Sequence, residues 1–229
     1  MKRRLTLLIS ADHTLWEGNV YFERTVDRFF SLVEPFGYTR AYARHILNET
    51  ERINIRQHGY GARSFVRSLE QSYQRLAGSL AQKNDLSEVS AMAEELECTP
   101  PQVLDGVPET LAYLSERHRL LLFTEGEAAE QAGKVERSGL QSFFEAIEIV
   151  NQRSLAIYET LVERHHVVKS SAWIVGSSAI HEINPALQAG LNAALVPRAE
   201  TWDIENAELQ NGAGKLLIVN QFRDLRDHF

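Results

Sequence analysis

Short apolar runs, with helical patterns between most of them, constrain the fold of this chain more than any other feature of its sequence. A continuous apolar run of this length is typical of a strand that is buried on both faces of a sheet. Segments such as PETLAYLSERH, in which Pro108 suits the first turn, have the apolar spacing of an amphipathic helix. Strands that alternate with such helices predict an α/β fold with a parallel, doubly wound sheet. The runs lie at 5–9, 119–124, 146–150, 172–176, 193–196 and 216–219.

Residues 17–98 interrupt this alternation, because they have the pattern of consecutive amphipathic helices without a convincing strand. The segment TPPQVLDGVP at 99–108 then has the composition of a linker that returns to the sheet. We therefore predict two domains. Residues 1–15 and 103–229 form an α/β core domain, and residues 16–102 form an α-helical cap domain inserted after the first strand.

The composition excludes several classes of partner. The formal net charge is −7, from 24 Lys and Arg against 31 Asp and Glu, and the sequence has no dense basic stripe, which argues against nucleic acid. No apolar stretch approaches the roughly 20 residues that a membrane helix needs, so we expect no membrane partner. The first residues, MKRRLTLLIS, have the pattern of a core strand rather than of a signal peptide. The single cysteine, Cys98, is compatible with a reducing cytoplasm, where we expect a monomer or homodimer.

The residues that follow the predicted strands are the candidates for a functional site, because an open parallel sheet binds ligands beyond the carboxyl ends of its strands. Hydroxyls, backbone amides and a guanidinium suit an anion. We therefore expect a small anionic ligand at Thr124, Glu125, Arg153, Ser177 and Ser178. The full set is Ser10, Asp12 and Thr14 after the first run, Thr124, Glu125 and Gly126 after the second, Gln152 and Arg153 after the third, and Gly176, Ser177, Ser178, His181 and Glu182 after the fourth.

Four motifs in order resemble those of the haloacid dehalogenase (HAD) superfamily, in its subgroup with a helical (C1-type) cap. The first family motif is Asp-x-Asp-x-Thr, and the chain has SADHT at 10–14. Thr124 matches the second motif, and Arg153 stands where the third has a lysine. The fourth, Gly-Asp-Ser-x-x-x-Asp-Ile-x-Pro, corresponds to GSSAIHEINP at 176–185. The resemblance covers nearly the whole chain and implies a Rossmann-like core with an inserted helical cap.

The resemblance also implies roles for these positions. The first Asp of the family is the nucleophile, and Ser10 stands there; the second Asp is the acid/base, which leaves Asp12 in that role. Motif-four acids help to hold Mg²⁺ in the family, which makes Glu182 a candidate metal ligand. Asp12, in motif one, is the other candidate. A serine hydroxyl is a weak nucleophile without a neighbouring base. By analogy with other covalent enzymes, loss of the Asp nucleophile costs on the order of 10⁶-fold in turnover. Arg153 has a planar fork instead of a lysine point charge, and Glu182 is longer by one methylene than the family's Asp.

We therefore predict a catalytically impaired or inactive HAD-like hydrolase that still binds a phosphate- or carboxylate-bearing ligand and for which Mg²⁺ is doubtful. One alternative is an active phosphatase or dehalogenase in which water attacks, with Asp12 as base. Another is a regulatory or protein-interaction module. His13 and His181, with Asp12 and Glu182, offer ligands for a transition metal. Trp16 either lines the pocket or packs under the hinge of the cap.

Overall fold

The computed structural model describes residues 4–17, 19–59, 61–197, 208–210 and 212–229. Contacts between residues divide the chain into two compact units. We call Met1–Glu17, Pro101–Glu125 and Gln131–Phe229 the sheet unit, and Gly18–Pro100 with Gly126–Glu130 the helical unit. Each unit has its own hydrophobic core.

A parallel sheet forms the centre of the sheet unit. Its strands follow the order β5-β4-β1-β6-β7-β8, and every neighbouring pair is parallel. The predicted doubly wound α/β fold is therefore confirmed, with strand limits that differ from the apolar runs by a residue or two. The strands that the structure describes are β1 (Thr6–Ile9), β2 (Trp16–Glu17), β3 (Gln102–Val103), β4 (Arg119–Glu125), β5 (Ala146–Val150), β6 (Ala172–Gly176), β7 (Asn192–Leu195) and β8 (Leu216–Ile218).

Strands β2 and β3 form a small antiparallel ribbon that the sequence did not predict. Trp16 pairs with Val103 and Glu17 pairs with Gln102. The expectation of no strand over 17–98 and of a plain linker at 99–108 was therefore wrong at these two ends. Two-residue strands are too short to show an alternating pattern, and their pairing depends on residues far apart in the sequence.

Helices cover both faces of the sheet. Side chains of a strand alternate between its faces, so Leu7 and Ile9 of β1 pack in one cluster with Leu111, while Leu8 packs in another with Tyr158. The helices described after β3 are α5 (Val107–Ser115), α6 (Ala128–Ser138), α7 (Leu155–Arg164) and α8 (Asn184–Gln188), with a π turn at Ala179–Ile183 before α8. Helices α1–α4 belong to the helical unit.

Four helices form the helical unit: α1 (Asn19–Val33), α2 (Arg40–His58), α3 (Ala62–Ala77) and α4 (Lys83–Cys98). Their apolar faces meet in a cluster that includes Phe29, Leu47 and Leu69. The side chain of Thr39 accepts a hydrogen bond from the Tyr42 amide and so caps the start of α2. Among the described residues, no helix combines the length and the apolar character that crossing a membrane would require.

Candidate functional site

The carboxyl ends of four adjacent strands, β5, β4, β1 and β6, bring the predicted site residues to one edge of the sheet. Strand β1 lies between β4 and β6, and all three are parallel. Ser10 follows β1 and its amide donates to the Val175 carbonyl at 2.9 Å, which continues the pairing with β6 by one residue. Thr124 lies at the end of β4, and Ser177 follows β6. The residues that the sequence singled out therefore lie beside one another at the carboxyl ends of parallel strands.

Ser10, Arg153 and Glu182 form a buried cluster, which we call the ion-pair cluster. Arg153 donates from Nη1 to Glu182 Oε1 at 2.7 Å and from Nη2 to Ser10 Oγ at 2.9 Å. The Ser10 hydroxyl in turn donates to Glu182 Oε1. The side chains of Arg153 and Glu182 are only 6% and 4% exposed, so the charges neutralise each other away from solvent.

The second oxygen of Glu182 is held by main-chain amides. Glu182 Oε2 accepts from Ser177 N at 2.6 Å and from Ser178 N at 2.8 Å. A Cβ at position 176 would overlap this oxygen, so glycine there is what allows the carboxylate to approach the end of β6. With Ser10 and Arg153 on its other oxygen, the carboxylate accepts four hydrogen bonds, which fills its usual acceptor capacity.

Arg153 is fixed by contacts on several sides. Its Nη2 donates to the Phe123 carbonyl at 2.6 Å, and its guanidinium carbon lies 4.9 Å from the centre of the Phe123 ring. Its amide donates to Glu125 Oε2 at 3.2 Å. Burial alone would lower the pKa of Arg153. Glu182 and the other acidic neighbours outweigh burial and raise the pKa above its usual value, so the guanidinium stays charged. Burial raises the pKa of Glu125, and Arg153 offsets only part of this.

Asp12 is held by three donors instead of standing free as a base. Its Oδ1 accepts from Trp16 Nε1 at 2.7 Å, and its Oδ2 accepts from Gln131 Nε2 at 2.9 Å. Lys134 Nζ lies 3.4 Å from both oxygens. Burial raises the pKa of Asp12, but Lys134, the Trp16 indole and further neighbours outweigh it and hold the pKa below its usual value. The carboxylate is therefore ionised and weakly basic at neutral pH.

Thr124 is linked to Asp12 through Gln131. Its hydroxyl donates to Gln131 Oε1 at 3.1 Å, and the side chain of Gln131 passes a hydrogen bond on to Asp12. Thr124 is 1% exposed. The donors that the sequence assigned to an anion are thus paired within the protein: the Thr124 hydroxyl with Gln131, and Arg153 and the amides of residues 177–178 with Glu182. An incoming anion must displace Glu182 to reach Arg153 and these two amides.

These residues, as they lie, do not fit Mg²⁺. The ion prefers an octahedral set of oxygens that usually includes several waters. The oxygens of Glu182 face a guanidinium and two amides, Asp12 lies beside an ammonium group, and Ser10 offers a neutral hydroxyl. Within the described ranges, no group of three or more His, Cys, Asp and Glu side chains is placed to hold a metal ion. The transition-metal set with His13 and His181 is therefore not assembled either.

The sequence missed the residues that surround Asp12. Trp16 was expected to line the pocket or to pack under the hinge of the cap. It is 1% exposed, and its indole donates a hydrogen bond to Asp12. Gln131 and Lys134 belong to none of the four motifs. They are three residues apart on α6, the helix after the strand that carries Thr124, so they share one face. That spacing is the signal that would have indicated them.

Comparisons with known proteins agree with this architecture. The sequence model of the haloacid dehalogenase-like hydrolases matches residues 38–196, a range that begins after Ser10 and Asp12. No curated protein sequence matches the chain. A haloacid dehalogenase-like family hydrolase from Xanthomonas campestris is 21% identical, with a TM-score of 0.85 over 98% of this chain and 90% of that one.

Two other solved structures are similar over almost their whole length. A HAD-hydrolase from Bacillus subtilis, bound to magnesium, is 17% identical with a TM-score of 0.65, over 99% of each chain. The L-2-haloacid dehalogenase from Xanthobacter autotrophicus, with chloropropionic acid covalently bound, is 14% identical with a TM-score of 0.63, over 98% of each chain. At these identities the similarity shows the fold, a Rossmann-like core with a helical cap, as predicted.

Proposed function

Because the chain belongs to the haloacid dehalogenase-like hydrolase family, we propose that it is a catalytically inactive member whose strand-end site is closed by its own side chains. One observation carries the proposal. The carboxylate of Glu182 accepts hydrogen bonds from Ser10, from Arg153 and from two main-chain amides, and so occupies the donors that would otherwise face a substrate.

The position of Ser10 supports the loss of catalysis. Its hydroxyl proton is directed at Glu182 and its oxygen accepts from Arg153, so neither is directed at a ligand. The residue is 4% exposed, which leaves no open approach for an electrophile. Attack by an oxygen nucleophile requires the reacting atoms to meet at about 3–3.5 Å with aligned orbitals. The ion-pair cluster prevents that approach.

The alternative of an active hydrolase that uses Asp12 as base is less well supported. A general base must take up a proton during the reaction and works best with a pKa near the operating pH. The donors around Asp12 lower its pKa instead. Its hydrogen bonds to Trp16 and Gln131 also use lone pairs that a substrate water would need.

The proposal extends to the metal and the cellular location. Hydrolases of this family generally use Mg²⁺, but the donor set here favours an ion pair over a divalent cation. We therefore propose that the protein binds no Mg²⁺ at this site. The single cysteine supports a protein of the reducing cytoplasm.

A hydrolase assay tests this proposal. Wild-type protein is assayed on aryl phosphates and 2-haloacids, with and without Mg²⁺, beside Asp12→Asn and the triple variant Ser10→Asp/Arg153→Lys/Glu182→Asp. We expect no turnover by the wild type. Turnover near 1 s⁻¹, the low end for ordinary enzymes, would contradict the proposal. If such activity disappears in Asp12→Asn, it belongs to the protein and supports the alternative with Asp12 as base.

A further inference from the structure

We infer that Ser10, Arg153 and the main-chain amides of Ser177 and Ser178 form a binding site for one carboxylate group, and that Glu182 is the ligand that the chain itself keeps there. We call these four donors the cradle. The inference deepens the proposed function and rests on its premise that the site is closed from within. A small external carboxylate, of the formate or acetate class, enters the cradle only when the Glu182 side chain is removed or displaced.

The strands of the sheet position the donors of the cradle, and contacts other than those with Glu182 help to hold them. Ser10 follows β1, Arg153 follows β5, and the two amides follow β6. The Phe123 carbonyl and the Phe123 ring hold the guanidinium in place without any contribution from Glu182. The donors therefore keep a fixed arrangement when the side chain at position 182 is shortened.

The geometry of the cradle suits a planar carboxylate. One oxygen of Glu182 lies against Ser10 and Arg153, and the other lies against the two amides, at distances between 2.6 and 2.8 Å for the nitrogen donors. Charge-assisted hydrogen bonds of this length are the strong ones. Glycine at position 176 leaves the space that the carboxylate fills. A formate ion has the same two oxygens and the same plane.

The cradle also has a donor that Glu182 does not use. Arg153 Nε is buried and has no hydrogen-bond partner in the part of the chain that the structure describes. An unsatisfied buried donor is destabilising and is rare in native proteins. The internal carboxylate therefore leaves one hydrogen-bond donor of the guanidinium unused.

Glu182 lies on an unusual piece of backbone. It is part of the π turn Ala179–Ile183, which continues directly into α8. The Tyr158 hydroxyl donates to the Glu182 carbonyl at 3.2 Å and so holds the main chain of this turn independently of the carboxylate. Short π segments are rare and occur often at functional sites. The side chain can therefore be changed while its backbone stays anchored.

Chemical rescue tests the inference. The melting temperatures of wild type, Glu182→Ala and Glu182→Ala/Arg153→Ala are measured in sodium formate and in sodium chloride at equal ionic strength. The matched control is Glu148→Ala, which removes another carboxylate from an ion pair, with Arg164 at 2.7 Å, outside the cradle. If Glu182→Ala does not fold in chloride, the fraction that refolds from denaturant in each salt measures the same effect.

We expect formate, compared with chloride, to raise the melting temperature of Glu182→Ala by about 2–4 °C when formate exceeds its Kd several-fold. Wild type, Glu148→Ala and the double variant respond equally to the two salts. The absence of a formate-specific gain in Glu182→Ala, in both melting and refolding, would overturn the inference, and so would an equal gain in Glu148→Ala. Hydrolase turnover by the wild type would contradict the proposed function but leave this result unchanged.

Discussion

Glu182 and Arg153 form a buried ion pair, and at the scale of single residues their environment decides how much it contributes. Removing two charges from water is costly, and the cost is recovered only when every lone pair and proton is satisfied. Here the carboxylate has four donors, and the guanidinium has a carboxylate, a hydroxyl and a carbonyl but no partner for its Nε among the described residues, so the cost is recovered only in part. The serine at position 10 is one of these partners, so it stabilises the cluster instead of merely lacking a carboxylate.

Moving the carboxylate from position 182 to position 10 tests this interdependence. Ser10→Asp places a second carboxylate beside Glu182, and we expect it to destabilise the protein by about 1–3 kcal/mol at neutral pH. Glu182→Gln leaves Arg153 without its carboxylate partner, at a cost of about 3–5 kcal/mol. Ser10→Asp/Glu182→Gln restores one carboxylate to one guanidinium. Urea unfolding measures the loss of unfolding free energy in each variant. We expect the loss in the double variant to be smaller than the sum of the losses in Ser10→Asp and Glu182→Gln, by about 0.5–3 kcal/mol.

The neutral pair Ser10→Asn/Glu182→Gln is the control for that cycle, because asparagine has the shape of aspartate without its charge. The effects of its two substitutions on the unfolding free energy should add, since no carboxylate returns to Arg153. Equal coupling in the charged and the neutral cycles would show that packing, and not charge, links positions 10 and 182. Calorimetric titration of the same variants with Mg²⁺ then measures whether Ser10→Asp restores affinity for the metal.

The sequence predicted most members of this site but not their partners. Ser10, Arg153 and Glu182 were found because each follows a recognisable strand or lies in a family motif, and parallel strands end at one edge. The contact of Glu182 with Ser10 was not predictable, because it depends on side-chain length and on the approach allowed by Gly176. Lys134 was missed because it belongs to none of the four motifs, although its spacing of three residues from Gln131 places both side chains on one face of α6.

Glu51 makes helix α2 sensitive to pH at the scale of one element. It is 2% exposed, and its Oε2 has no partner among the described residues. Burial raises its pKa from 4.5 to about 8, Arg44 on the same helix lowers it, and Glu23 on α1 raises it. The folded protein therefore keeps a proton that the unfolded chain releases. Its stabilising contribution is complete below the unfolded pKa and is lost as the pH rises through about 8.

Glu51→Gln should remove this pH dependence, because glutamine stays neutral at every pH. We expect the unfolding free energy of the wild type to fall more steeply than that of the variant between about pH 5 and pH 9, with a difference on the order of a few kcal/mol at the upper end. Urea unfolding at several pH values measures it. Glu88→Gln, on α4 and 49% exposed, is the control and should give a small change that is the same at each pH. Parallel curves for wild type and Glu51→Gln would contradict the raised pKa.

The elements were predictable wherever they were long enough to show a period. The apolar runs at 119–124 and 172–176 became β4 and β6 because a strand buried on both faces must be apolar throughout. The β2–β3 ribbon and the π turn were not predicted. Two-residue strands show no alternation, and the π turn depends on the hydrogen bonds that its residues make after folding.

At the scale of the whole molecule, the described residues of the sheet unit and those of the helical unit form separate hydrophobic clusters. Leu69 belongs to the cluster of the helical unit, and Leu122 belongs to a cluster of the sheet unit. Both side chains are fully buried, so Leu→Ala at either position should cost about 2–5 kcal/mol. Because each loss falls on one core alone, we expect the two variants to weaken different parts of the chain.

Two spectroscopic probes separate these parts and test the predicted division into a core domain of 1–15 and 103–229 and a cap of 16–102. Trp16 and Trp173 lie in the sheet unit, so their fluorescence follows that unit once Trp202→Phe has removed the tryptophan outside the described residues. Far-UV circular dichroism gives more weight to the helical unit, which contains α1–α4. In urea, Leu69→Ala should shift the dichroism transition to lower concentration than the fluorescence transition, and Leu122→Ala should reverse the order. Coincident transitions in both variants would mean that the chain unfolds as one cooperative body, and the two-domain prediction would then have no thermodynamic basis.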